Sequence, residues 1–176
     1  MKNSTASEFS HSSNSALLFK SLTASDVEVS LLPFYLGLDF DARRRRFGGA
    51  VSDNAIKQHC RGLNLDNAII LACSGKASLI AAIEVHPLAS GWEDSELALA
   101  ECANADRTTI VAHLLQLAAF AAGKRACTTF VIPSCSSERD FLELLRGMGR
   151  VRMQEDVLRI ELGEYATLHR CSDGQM

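Results

Sequence analysis

Three strand-type segments follow one another with no helix-length stretch between them, and this limits the folds open to the chain. Asn67–Cys73 is a nearly continuous apolar run, Ser74-Gly75-Lys76 supplies turn residues, and Ala77–Val85 resumes the strand pattern as its hairpin partner. His86–Asp94 holds a proline and a glycine and reads as a loop. Ser95–Cys102 then alternates, with Leu97 and Leu99 on one face and Glu96, Ala98 and Ala100 on the other. Segments of helical period flank this trio on both sides, so the sheet has helices to cover its faces.

Upstream, Ala16–Leu22 reads as a first strand, and Thr23 or Ser25 can cap the helix after it. That helix runs through Val27, Val29, Leu31 and Leu32, and Pro33 should interrupt or kink it. A second helical stretch begins near Asp41, carries Arg43–Arg46 and stops at Phe47-Gly48-Gly49. Ser52-Asp53-Asn54-Ala55 opens a third, which runs to about Arg61 and ends at Gly62. Downstream, Asp106 is placed to cap a helix through Ile110, Val111, Leu114, Leu115, Ala118 and Ala122, with Gly123 at its end. Cys127–Ile132 follows as a strand, Ser137–Met148 as a helix ended by Gly149, and Val151–Gln154 and Val157–Leu162 as two short strands. The order β-α-α-α-β-β-β-α-β-α-β-β predicts a mixed sheet.

The 176 residues suit one domain. It is expected over 16–162, between a serine-rich tail at 1–15 and a second flexible tail at 163–176. Against 21 Asp and Glu stand 18 Lys and Arg, a net charge of 18 − 21 = −3, so no basic excess points to a nucleic-acid partner. The longest apolar runs, Ala68–Cys73 and Leu117–Ala122, fall far short of the roughly 20 residues a membrane span needs. The first fifteen residues lack the apolar core of a secretory signal. Cys60, Cys73, Cys102, Cys127, Cys135 and Cys171 form no C-x-x-C pair and match no zinc or haem spacing. They read as free thiols in a reducing, cytoplasmic setting, and no metal is expected.

Leu38–Ile56 (LDFDARRRRFGGAVSDNAI) is similar to an L-x-x-x-x-R-x-x-R-F-G-x-x-x-S-D stretch found in one branch of the GNAT N-acetyltransferases. Ser95–Leu99 (SELAL) resembles that superfamily's fourth strand, and the helix, strand and FLELLRGMG that follow resemble its closing pattern. The likeness spans about Leu17–Leu162. It implies a mixed, mostly antiparallel sheet with a V-shaped splay and helices on both faces. It also implies acetyl-CoA as cofactor and a primary amine, free or on a peptide, as acceptor. In such proteins a Q/R-x-x-G-x-G/A turn opens the helix after the fourth strand, where backbone N–H groups hold the cofactor's pyrophosphate.

Two departures mark this chain. The glycine-rich turn falls on Asp106-Arg107-Thr108-Thr109-Ile110-Val111, so Thr109 and Val111 replace the glycines and Asp106 brings a carboxylate. Arg107 and the hydroxyls of Thr108 and Thr109 could compensate in part. The tyrosine that often protonates the leaving thiolate is replaced by Leu145, and a common asparagine by Glu138. Against these, Glu96 stands where the resemblance implies a base for the attacking amine; its other reading is a solvent-facing residue on an alternating strand. The resemblance also implies that backbone groups near Leu99, Ala100 and Glu101 polarise the thioester carbonyl. Glu101 by itself reads as a surface side chain.

Two functions therefore stand: an acetyl-CoA-dependent N-acetyltransferase, or a degenerate regulatory domain that binds a partner, for instance as a homodimer through Val151–Leu162. The four arginines at 43–46 fan around a helix and form no single stripe. One or two ion pairs, with Asp39, Asp41 or Asp53, are the expected use. His59 adjoins Cys60, but adjacent helical side chains diverge, and none of the five histidines has a partner legible in the sequence. Ser134-Cys135-Ser136-Ser137 falls near the place where the resemblance puts the cofactor's pantetheine arm.

Overall fold

A computed structural model describes residues 16–163 apart from Ala77, 103–105, 134–138 and Asp156. The expected tails, Glu138 and the serine cluster around Cys135 lie outside the described residues. The elements are β1 (Leu18–Ser21), α1 (Ala24–Asp26), a π-turn (Val27–Leu31), α2 (Leu32–Leu36), α3 (Phe40–Phe47), α4 (Asp53–Gly62) and a 3₁₀ turn at Leu65–Asn67. There follow β2 (Ile69–Ser74), β3 (Leu79–Pro87), β4 (Asp94–Glu101), α5 (Arg107–Gly123), β5 (Thr129–Pro133), α6 (Arg139–Met148), β6 (Gly149–Gln154) and β7 (Val157–Leu162).

The seven strands form one sheet in the order β1-β2-β3-β4-β5-β7-β6. Every neighbouring pair is antiparallel except β4 and β5. That parallel pair joins only Asp94↔Thr129, Ser95↔Phe130 and Glu96↔Val131, after which the strands part. The V-shaped opening expected from the resemblance is present.

Each face has its own core. Leu71, Ile83, Leu97, Phe130 and Ile160 pack under α5 and α6 through Leu114, Leu115, Phe141 and Leu145. Ile70, Ala72, Ala82 and Ala100, the alternate residues of β2–β4, pack under the first four helices through Leu31, Tyr35, Ala42 and Ile56. Covered on both sides, β2 is buried along five of its six residues, and this is why it reads as an apolar run without alternation.

The local chemistry of the helices follows the sequence closely. Asp39 and Ser52 accept the backbone N–H of Ala42 and Ala55 as N-caps, and Gly48 ends α3 at φ 73°, a left-handed cap that suits glycine. Pro33 cannot donate an N–H, and the chain answers with the π-turn just before it, where Leu32 N–H bonds Val27 O. Two readings need correction. His86 belongs to β3 and not to a loop, because β3 stays paired with β4 as far as Pro87↔Ser95. Asp106 takes the N-cap position of α5, but its carboxylate makes no cap hydrogen bond.

Candidate active site

The site is built around a carboxylate in an apolar strand. The register sets Glu84 between Ile70 of β2 and Ala98 of β4, on the face covered by the first four helices. It is fully buried, and an unpaired charge there would be prohibitive. Three of the covering helices each supply a partner. Arg46 of α3 pairs with it at 2.7 Å, His59 of α4 places Nε2 3.1 Å from both carboxylate oxygens, and Tyr35 of α2 donates its hydroxyl to Oε1. His86, two residues along β3, adds Nε2 at 2.8 Å. Burial alone would raise the Glu84 pKa; the Arg46 charge and the two imidazole hydrogen bonds overcome this and hold the carboxyl well below its ordinary range. Burial, then the Glu84 charge, pushes Tyr35 well up and Cys60 to about 11, so both stay protonated.

Aromatic rings hold the guanidinium in place. Arg46 Cζ lies 4.8 Å from the centroid of Phe47 and 5.4 Å from that of Tyr35. Phe47 also meets His59 edge-on at 5.6 Å. The Arg46 Nε is buried and makes no hydrogen bond among the described residues.

Beside this cluster, the parting of β4 and β5 leaves a cleft of about 250 Å³. Leu97, Leu99, Ile132 and Phe141 give it apolar walls, while Arg45, Arg46, His59 and Glu96 reach it from the side of α3 and α4. Glu96 is half-buried and sits opposite His86 across the β3–β4 ladder. Backbone groups of successive strand residues turn to opposite edges. Since Cys102 N–H bonds Ile80 O of β3, the N–H groups of Leu99 and Glu101 turn the other way, toward the splay.

The remaining residues proposed from the sequence lie at the far end of β4. Ala100 is buried under the first helices, Thr108 and Thr109 are exposed on the first turn of α5, and Ile110 and Val111 are core residues at 2% exposure. Glu101 is not a surface side chain. It is 8% exposed because Arg107 folds over it, with Nε 2.6 Å from Oε1, while Oε2 has no hydrogen-bond partner among the described residues. Leu145 is fully buried in α6. Among the described residues the arginine run forms two ion pairs, Arg43 with Asp53 at 2.6 Å and Arg46 with Glu84. Asp39 is spent as a cap.

Solved structures share this architecture. The GNAT domain of S. lividans PAT superposes with a TM-score of 0.62 at 16% identity, over 82% of this chain and 88% of that one. The chain has the GNAT fold. A ribosomal-protein-alanine N-acetyltransferase from Brucella melitensis gives 0.60 at 17% identity, over 82% and 99% of the two chains. The paia N-acetyltransferase from Thermoplasma acidophilum, solved with coenzyme A, gives 0.55 at 15%, over 83% and 99%. No family model matches the sequence, and no curated protein matches it. The likeness is one of fold, and residue roles on this GNAT scaffold have to be argued from its own side chains.

Tyr35, Glu84 and His59 are absent from the site as read in the sequence. The signal that could have found them is Glu84 itself. A carboxylate inside the strand Ala77–Val85, on a face shared with alanines, demands a cation from the layer above, and the arginine run supplies one.

Proposed function

We propose that the chain is an acetyl-CoA-dependent N-acetyltransferase acting on a primary amine, with the splay between β4 and β5 as its reaction site. One observation carries this reading: the two strands separate after Glu96↔Val131 into an apolar slot that holds a carboxylate, Glu96. Acyl transfer to an amine needs such a slot for the thioester, a hydrogen-bond donor for the carbonyl oxygen, and a base for the proton on nitrogen. The N–H groups of Leu99 and Glu101, on the edge of β4 that faces the splay, would serve the carbonyl, with Ala100 between them turned to β3, and Glu96, directly or through a water, would take the proton. With Leu145 in α6, no tyrosine is at that position to protonate the thiolate. Two solved structures of the same fold are N-acetyltransferases, and one of them was solved with coenzyme A.

The thioester end fits the apolar cleft well. At the pyrophosphate end, α5 keeps a helix N-terminus with Thr108 and Thr109 exposed beside Arg107. The backbone of Ile110 and Val111 adds to it, without the glycines that would bring phosphate closest. The Arg107 charge is drawn toward Glu101, and this favours the second reading, a GNAT-fold regulatory or binding protein that does not use acetyl-CoA in the usual way. Isothermal titration with acetyl-CoA separates the two. The enzyme reading requires a dissociation constant of millimolar or tighter, and weaker binding would sink it in favour of the regulatory one.

A further inference from the structure

We propose that His59, oriented by Glu84, is a second proton acceptor in the cleft. Its chemical role rests on the acetyltransferase reading, while its geometry stands apart from it. His59 Nε2 lies 3.1 Å from each oxygen of an ionised carboxylate that can only accept hydrogen bonds. A lone pair on that nitrogen would face negative charge, so Nε2 carries the hydrogen. Arg46 Nη2 has a second hydrogen and lies 3.3 Å from the same nitrogen, but this is one longer contact against two carboxylate oxygens at 3.1 Å.

In a neutral imidazole with Nε2 protonated, Nδ1 is bare and basic. Nδ1 of His59 makes no hydrogen bond among the described residues, and the ring borders the same cleft as Glu96 with its side chain 30% exposed. Phe47 and Tyr35 pack beside the ring and limit its rotation. His86 also bonds Glu84, yet it is not among the residues that line the cleft. The pairing is a buried carboxylate holding one imidazole nitrogen so that the other meets the substrate, an arrangement suited to general-base work.

The reaction has a use for it. A primary amine arrives as an ammonium and must lose two protons on the way to an amide. Glu96 takes the first and frees the nitrogen lone pair. As nitrogen bonds to the carbonyl carbon and the carbon–sulfur bond breaks, sulfur leaves with the electron pair and the second proton passes to His59 Nδ1. His59 then returns this proton to solvent at its exposed edge, and Glu96 passes its own to the departing thiolate, so that both acceptors are free for the next amine.

The test begins with ¹⁵N-histidine NMR on the full chain at neutral pH, with His59 assigned by its loss in His59→Asn. The expected result is protonated Nε2 and bare Nδ1; a ring protonated on Nδ1 overturns the proposal. Release of coenzyme A thiol from acetyl-CoA with a panel of primary amines supplies the second readout. His59→Ala should lower turnover by about 10²-fold or more, and added imidazole should restore part of it. A loss below about tenfold, or no rescue, overturns the base role. A wild-type chain that acetylates none of the amines removes the reaction, and His59's part in it, while the tautomer measurement still reports whether Glu84 orients the ring.

Discussion

At Glu84 a single side chain links stability to pH. Its carboxyl titrates below the ordinary 4.5 in the folded chain, so its ion pair and hydrogen bonds add stability that is complete above that value and is lost as pH falls through the folded one. Glu84→Gln leaves the Arg46 guanidinium buried without its counter-charge and should cost about 3–5 kcal/mol in urea unfolding at neutral pH. The same variant should lose less stability than the parent between about pH 5 and 3, since it has no carboxylate to protonate at this position. A variant with the parent's full acid sensitivity would show that the dependence arises elsewhere. Glu96 is a different case, half-buried at the cleft and outside the Glu84 cluster. Glu96→Gln should leave the unfolding midpoint close to the parent's and lower acetyl-CoA turnover by about 10²-fold or more. Turnover within a few-fold of the parent would remove Glu96 as the base.

Among the elements, β6 depends on one glycine. A Cβ on Gly149 would sit 1.9 Å from the carbonyl oxygen of Glu161 in β7, so Gly149→Ala should push β6 off its partner and cost about 1–3 kcal/mol, read as a lower melting temperature. At the start of α5 the two positions that replace glycine differ in kind. Thr109 is exposed and Val111 is core, so Thr109→Gly costs only about 0.3 kcal/mol of helix propensity, whereas Val111→Gly also opens a cavity. Thr109→Gly alone is therefore the cleaner probe of the phosphate end, and titration with acetyl-CoA should show affinity raised if the missing glycine limits binding. Most of this layer was legible beforehand, because caps, turns and periodicity are local: Ser52, Gly48, Gly62 and Gly123 all mark helix limits near the expected places. What stayed hidden depends on register. Whether His86 continues a strand, or Glu101 lies under Arg107, is decided by β3 and β4 pairing to their ends. The Glu84 cluster joins three helices and a strand over 52 residues of chain from Tyr35 to His86, a convergence that no local pattern encodes.

In the molecule as a whole, the parting of the central strands bears on how the chain opens. Among the described residues, β1–β4 are joined to β5–β7 by three strand pairs, the Arg159–Asp94 ion pair, the hydrogen bonds of Thr128 and Thr129 to Glu93 O, and the packing around α5 and α6. Few hydrogen bonds cross that seam, so the C-terminal block of β5, α6, β6 and β7 can detach while the four-stranded remainder and its helices stay folded. Native-state hydrogen exchange should then resolve two cooperative units, with Phe130 and Ile160 exchanging together through a lower-energy opening than Ile70 and Ile83. A single uniform protection across all seven strands would refute this division. A ligand seated in the seam would touch both blocks and raise protection in the weaker one, so the opening that admits a substrate is also where its binding is felt as added stability.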